Sequence, residues 1–217
     1  MTLLKFIEPL SDPNMKLVKA DERGLRDAAL VLRNGGVVIY PTETVYGLGC
    51  EPSDPDATRR VCEIKGRADK PLPLICADNN SARRVVEFNA AAEKLTERFW
   101  PGPLSLVLPS KVDYPVWVTR HKPTLAVRVP GHEAARRLAG LCGGVLVSTS
   151  ANRSGKEPPR TAEGAIEQIG SKVDVVVDGG TTPGGEPSTV LDLSSEELWV
   201  LRSGPVSSED ILKVLRA

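Results

Sequence analysis

Two apolar runs in this sequence end in hydroxyl-rich turns, and three lysines or arginines stand where neighbouring elements should stop. Val37-Val38-Ile39-Tyr40 runs into Pro41-Thr42-Glu43-Thr44, and Val145-Leu146-Val147 runs into Ser148-Thr149-Ser150-Ala151-Asn152, followed by Ser154-Gly155. Small hydroxyls and an amide at the carboxyl end of a strand are donors placed where open α/β sheets bind ligands. Lys65 and Arg67 stand two apart before the Ala68-Asp69-Lys70-Pro71 turn. A point charge beside a planar fork suits a polyphosphate. Arg128 interrupts the apolar run Leu125-Ala126-Val127-Arg128-Val129, so it must be paired or face a cleft. Thr124 shares its face by the period of two. Gly185-Glu186-Pro187-Ser188-Thr189 and then Arg202-Ser203-Gly204 add another hydroxyl turn and another arginine at a strand terminus. The chemistry implied is the gathering of an anion in one cleft, with no general base among the histidines.

Each signal has a plainer explanation. Thr42 and Thr44 could satisfy the backbone of their own turn, and Lys65 with Arg67 could be a solvated helix end complementing the macrodipole. The two standard phosphate loops are absent. Ser150 stands where a Walker A loop needs its first glycine, Glu157 follows Gly155-Lys156, and no Gly-x-Gly-x-x-Gly turn exists. Any nucleotide is held by other means.

Positioning these groups falls to a chain of 217 residues, long enough to bury a core and read as a single domain over 1–217. Lys plus Arg and Asp plus Glu number 28 each, so no global field favours a polyelectrolyte partner. The N-terminal stretch lacks the pattern of a secretory signal, and no apolar run suits a membrane span. A cytoplasmic protein without membrane attachment is expected. Cys50, Cys62, Cys76 and Cys142 show no Cys-x-x-Cys spacing and, with only His121 and His132 beside them, argue against a structural zinc site; buried, reduced thiols are expected.

Apolar spacing predicts helices over residues 21–33, 56–65, 90–99, 132–141 and 161–169, and a last one opened by a capping box at Ser207 and Asp210. Strands are predicted over 37–40, 72–76, 104–108, 125–129, 145–148, 173–178, 189–193 and 199–202. Some strands follow one another without a helix between, which predicts an α/β fold with a twisted mixed parallel and antiparallel sheet and flanking helices. The glycine-rich run over 178–185 reads as a mobile loop over a site.

Seven segments, in order, resemble the YrdC-like threonylcarbamoyl-AMP synthase family. They are Pro41-Thr42-Glu43-Thr44-Val45-Tyr46-Gly47-Leu48, Lys65-Gly66-Arg67 with Lys70-Pro71-Leu72, Trp100-Pro101-Gly102-Pro103-Leu104, Ala126-Val127-Arg128-Val129-Pro130, Ser148-Thr149-Ser150-Ala151-Asn152 with Ser154-Gly155, Ser188-Thr189-Val190-Leu191-Asp192, and Leu201-Arg202-Ser203-Gly204. The resemblance covers about residues 20–205 and implies a concave basic cleft. It also implies an L-threonylcarbamoyladenylate synthase, a nucleotidyltransferase joining L-threonine, bicarbonate and ATP into threonylcarbamoyl-AMP and pyrophosphate for tRNA modification, with Mg²⁺ carried by the ATP. On that resemblance Lys65, Arg67, Thr124, Ser150, Asn152 and Arg202 bind ATP, with Lys65 and Arg67 catalytic, while Thr44, Arg128, Ser148 and Ser188 bind threonine. The product would pass to a tRNA-modifying transferase complex.

There are departures. Ala68 and Asp69 make the turn after Arg67 one residue shorter than in many members, and Ile75 or Cys76 stands where some place a histidine near the threonine. The extra C-terminal domain of longer members has no counterpart after Arg202, so a lid is expected from 178–185. The rival reading is a YciO-type paralogue that binds RNA or nucleotide with little synthase activity. A carbamoyl-transfer module like that of hydrogenase maturation proteins ranks last, for want of an acylphosphatase-like or zinc-finger segment.

Overall fold

A computed structural model of the chain describes residues 15–66 and 69–217. The first helix, α1 (Glu22–Arg33), starts where the Asp21 carboxylate accepts the Gly24 N–H, and buries Leu25, Ala28, Ala29 and Leu32 along one face. Helix α2 (Pro55–Lys65) is capped by Asp54 and opened by Pro55. It ends because Gly66 turns left-handed at φ 64°, sending its N–H back to Cys62 and Glu63. The break predicted between Lys65 and Arg67 is therefore real.

Eleven strands form two mixed sheets among the described residues. One sheet orders β1 (Lys16–Lys19), β9 (Val175–Asp178), β2 (Val38–Tyr40), β3 (Gly47–Gly49) and β8 (Thr149–Ser150). The other orders β11 (Trp199–Arg202), β10 (Thr189–Asp192), β5 (Leu104–Pro109), β6 (Thr124–Arg128), β4 (Leu74–Cys76) and β7 (Val145–Val147). Parallel and antiparallel pairs occur in both sheets. The mixed α/β architecture matches the expectation, divided into two sheets rather than one.

Helices α1 and α6 (Glu133–Leu141) cover Val38, Tyr40, Val175 and Val177. The larger core lies under α2, α4 (Ala90–Phe99), α7 (Ala162–Ile169) and α8 (Ser208–Arg216). Ser207 caps α8 by accepting the Asp210 N–H, as the capping box predicted. All four cysteines are buried. Burial pushes the Cys76 thiol to about 12 and Cys142 to about 11, so both stay protonated.

Several short elements escape the sequence pattern: β1, β3, β8, α3 (Asn79–Val85) and α5 (Val116–Thr119). Gly-Leu-Gly in β3 has little strand propensity of its own. It is a strand because it pairs with β2 and lies hard against neighbouring chain: a Cβ on Gly49 would fall 2.3 Å from the Val147 carbonyl oxygen.

Candidate active site

The second sheet has one dry face and one wet face. Leu104, Leu106, Leu108, Leu125, Val127 and Leu191 point into the core. The intervening Ser105, Val107, Thr124, Ala126, Arg128, Val190 and Asp192 instead floor a cleft of about 470 Å³, a volume in the usual range for small-molecule sites. Register makes the floor continuous, since Val107 stands beside Ala126 on one side and Asp192 on the other. The walls come from the strand ends singled out in the sequence: Thr42 and Thr44 to Gly47 after β2, Ser148 to Ser150 between β7 and β8, and Pro187 and Ser188 before β10.

Thr44, Thr124, Arg128, Ser148, Ser150, Ser188 and Arg202 thus share one cavity. Lys65 and Asn152 lie directly behind it. The Lys65 ammonium, 3% exposed, points from the end of α2 into the turn after β8. It donates to Ser150 O (2.5 Å), Ser150 Oγ (3.3 Å), Asn152 O (2.7 Å) and Asn152 Oδ1 (2.8 Å). Asn152 completes the knot by donating Nδ2 to the Lys156 carbonyl (2.5 Å). Lys65 therefore holds the hydroxyl turn in shape from behind. Arg67 lies outside the described residues.

Arg128 has found its anion inside the protein. Its Nη1 pairs with Glu43 Oε1, from the turn after β2. Arg202 donates through Nε to Ser188 O (2.9 Å) and through Nη2 to Ser188 Oγ (3.0 Å), and Ser188 Oγ meets Ser105 Oγ at 2.9 Å. A bulge in β11 lets this happen: Val200 sits opposite Leu191 and Arg202 opposite Val190, so Leu201 is the extra residue and both Leu201 and Arg202 line the cleft.

The two readings of the first threonines divide between them. Both residues line the cavity, but Thr42 Oγ1 donates to Val45 O (2.7 Å) and accepts from Val45 N (3.3 Å), so it serves its own turn, while Thr44 Oγ1 bonds Thr42 Oγ1 at 2.9 Å. The loop over 178–185 is not a lid. The Tyr46 hydroxyl donates to Gly180 O (2.7 Å) and accepts from Gly179 N (3.1 Å), Thr182 Oγ1 donates to Thr44 O (3.2 Å), and Gly184 N donates to Glu43 O (3.1 Å). None of residues 178–185 lines the cavity. The glycines let this segment pack against the threonine turn as a buttress: a Cβ on Gly184 would sit 2.7 Å from Glu43 O.

Residues 30–204 match the family of Sua5, YciO and YrdC proteins, described as telomere recombination. The chain belongs to that family. As a member of the Sua5/YciO/YrdC family it is 41% identical over 199 residues to the threonylcarbamoyl-AMP synthase of Pyrococcus abyssi, covering 91% of this chain but only 58% of that protein. To the threonylcarbamoyl-AMP synthase of Halorhodospira halophila it is 43% identical over 157 residues, 71% of this chain and 82% of that one. The crystal structure of P. abyssi Sua5 complexed with L-threonine superposes with a TM-score of 0.88 at 40% identity, over 93% of this chain and 60% of that one. E. coli YciO gives 0.79 at 28% identity, over 89% and 96%.

Within this Sua5/YciO/YrdC member, several lining residues had no role in the sequence reading. Lys70 and Lys122 add cations at the cleft, Ser105 links to Ser188, and Ile75 lines the position considered for a histidine. Glu43 was visible in the quoted motif, yet nothing local tied it to Arg128, 85 residues away.

Proposed function

We propose that the chain is an L-threonylcarbamoyladenylate synthase, a nucleotidyltransferase that condenses L-threonine, bicarbonate and ATP to threonylcarbamoyl-AMP, pyrophosphate and water. One observation carries the reading: four cationic side chains, Lys70, Lys122, Arg128 and Arg202, converge with Thr44, Thr124, Ser148, Ser150 and Ser188 on one cavity. The names of relatives about 40% identical support the same reading.

The chemistry asks for positioning and charge neutralisation rather than a protein nucleophile. Threonine and bicarbonate form a carbamate, with loss of water. The carbamate oxygen attacks the α-phosphorus, and the bond to the pyrophosphate oxygen breaks. Aligning the two reactants removes most of the entropic barrier, and fixed donors offset charge on the departing pyrophosphate. Arg128, Thr44, Ser148 and Ser188 are assigned to threonine. Ser150, Thr124 and Arg202, with Arg67, are assigned to ATP, and Lys65 and Asn152 to shaping the turn that carries Ser150. Among the described residues no group of three or more His, Cys, Asp or Glu side chains could hold a metal ion. The only carboxylate lining the cavity there, Asp192, already receives Ser194 N and Oγ on Oδ1. Mg²⁺ is assigned to the ATP as part of that substrate.

The product is assigned to tRNA modification through a transferase complex. No described helix is long and apolar enough to cross a membrane. A cytoplasmic setting is assigned on the buried thiols of Cys50, Cys76 and Cys142, which suit a reducing compartment.

The test is pyrophosphate release by the pure protein with Mg·ATP, bicarbonate and L-threonine. Threonine-dependent release is expected. Silence with retained RNA affinity would instead establish the RNA- or nucleotide-binding paralogue.

A further inference from the structure

Arg128 and Glu43 join the two walls of the cleft. Arg128 ends β6 in one sheet, while Glu43 belongs to the turn after β2 in the other, with its backbone oxygen held by Gly184 N at 3.1 Å. Their side chains are 8% and 18% exposed, so the pair is shielded from water. Glu43 Oε1 is the one hydrogen-bond partner of the Arg128 guanidinium among the described residues. Arg128 also lines the cavity. The Glu43 side chain is closely packed: a Cβ on Gly131 would stand 3.2 Å from Glu43 Cγ and 3.5 Å from Cδ, so the bare backbone of Gly131 makes its seat, and Oε2 is buried with no hydrogen-bond partner among the described residues.

A guanidinium is a planar fork, and it recognises a carboxylate only when its plane is aimed. An arginine at the end of a strand has rotamers that lie along the sheet as well as ones that cross the cleft. Fixing one nitrogen on a seated carboxylate selects among them. We propose that Glu43 is the positioning residue that aims Arg128 at a substrate carboxylate and thereby sets the affinity of the cleft for amino acids. The inference rests on the synthase reading, but it concerns a side chain in neither the threonine set nor the ATP set.

Glu43→Gln keeps size and a hydrogen-bond acceptor but removes the charge, and Glu43→Asp keeps the charge on a shorter arm. Binding of L-threonine and of Mg·ATP is measured separately by calorimetry on wild type and both variants, with steady-state kinetics alongside. Glu43→Gln should weaken L-threonine at least about tenfold and leave Mg·ATP within about twofold. The kinetic loss should fall on KM for threonine more than on kcat, and Glu43→Asp should recover part of it. Wild-type threonine affinity in folded Glu43→Gln, or equal losses for both ligands, overturns the proposal alone. Failure of the wild type to bind L-threonine overturns the synthase reading as well. Should Glu43→Gln not fold, Gly131→Ala crowds the same carboxylate without altering either charge. A threonine-specific loss there supports the proposal, and unchanged affinity overturns it.

Discussion

Replacing Lys65 by Met tests whether this residue builds the site or contacts the substrate. The ammonium is 3% exposed and reaches four oxygens of Ser150 and Asn152, all neutral, with only three N–H groups to offer. Methionine fills much the same volume but satisfies none of them. Buried acceptors left unpaired cost about 1–3 kcal/mol each. Ser150 borders the cavity and can regain water, and loss of the ammonium relieves its own desolvation, so the net destabilisation is about 2 kcal/mol. In a domain of this size each kcal/mol lowers Tm by about 2–4 °C, which gives a fall of roughly 4–8 °C by circular dichroism. Threonine-dependent pyrophosphate release should drop on the order of 100-fold, because a turn displaced by an ångström misaligns what it holds. Asn152→Ala in the same background should add much less than it does alone, since both changes undo one knot. A variant with unaltered Tm and a large rate loss would refute the scaffold role and make Lys65 a direct phosphate contact.

Three further outcomes follow from the same geometry. Tyr46→Phe removes the donor to Gly180 O and the acceptor for Gly179 N; a loss of about 1–2 kcal/mol and faster amide exchange at Gly179 are expected, and unaltered exchange would make the loop's anchor lie elsewhere. His132 is held below its ordinary value of 6.5, first by burial, against the opposing pull of Glu43 and Glu133. The unfolded chain therefore takes up this proton at a higher pH than the folded one does, so the contribution is complete above about pH 6.5 and is lost as pH falls through the depressed folded value. His132→Gln should accordingly lose less stability than wild type between about pH 7 and pH 5 in denaturant titrations, and parallel curves would contradict it. RNA affinity, if the cleft supplies it, should fall steeply between about 50 and 200 mM salt; a flat profile would assign RNA to another surface.

Much of this fold could be read before it was seen, because its elements announce themselves by local physics. The 3.6-residue spacing of Leu25, Ala28, Ala29 and Leu32 and the Ser207-Asp210 cap depend only on neighbours in sequence. What escaped depends on partners far away. Gly47-Leu48-Gly49 is a strand only because β2 lies beside it. The run over 178–185 has the composition of a mobile loop, yet Tyr46, Thr44 and Glu43 bond it from more than 130 residues away, and Arg160 adds bonds to Thr182. The site was legible to the same degree. Strand ends marked where hydroxyls would gather, but not which polar groups would be consumed holding one another: Thr42 by its turn, Lys65 by Ser150 and Asn152, and Arg128 by Glu43.

That consumption bears directly on catalysis. A cleft lined with unsupported cations would repel itself and present each long side chain in many rotamers, and binding a polyanion would then cost the entropy of ordering them. Here Lys65 is tied behind the turn, Arg128 is joined to Glu43, and Arg202 is braced on Ser188, whose hydroxyl is held in turn by Ser105. The donors are therefore set before any ligand arrives, the condition under which they stabilise developing charge without reorganising. The same economy explains why the brace must be hydroxyl-rich rather than acidic. A second carboxylate beside Ser188 would hold Arg202 more firmly but would compete with a phosphate for it, whereas a serine fixes the guanidinium and leaves its charge to the substrate. Ser188→Asp should on this argument keep the fold while lowering ATP affinity more than Ser188→Ala does. Calorimetry that ranked the two variants the other way would show that Arg202 does not serve the nucleotide.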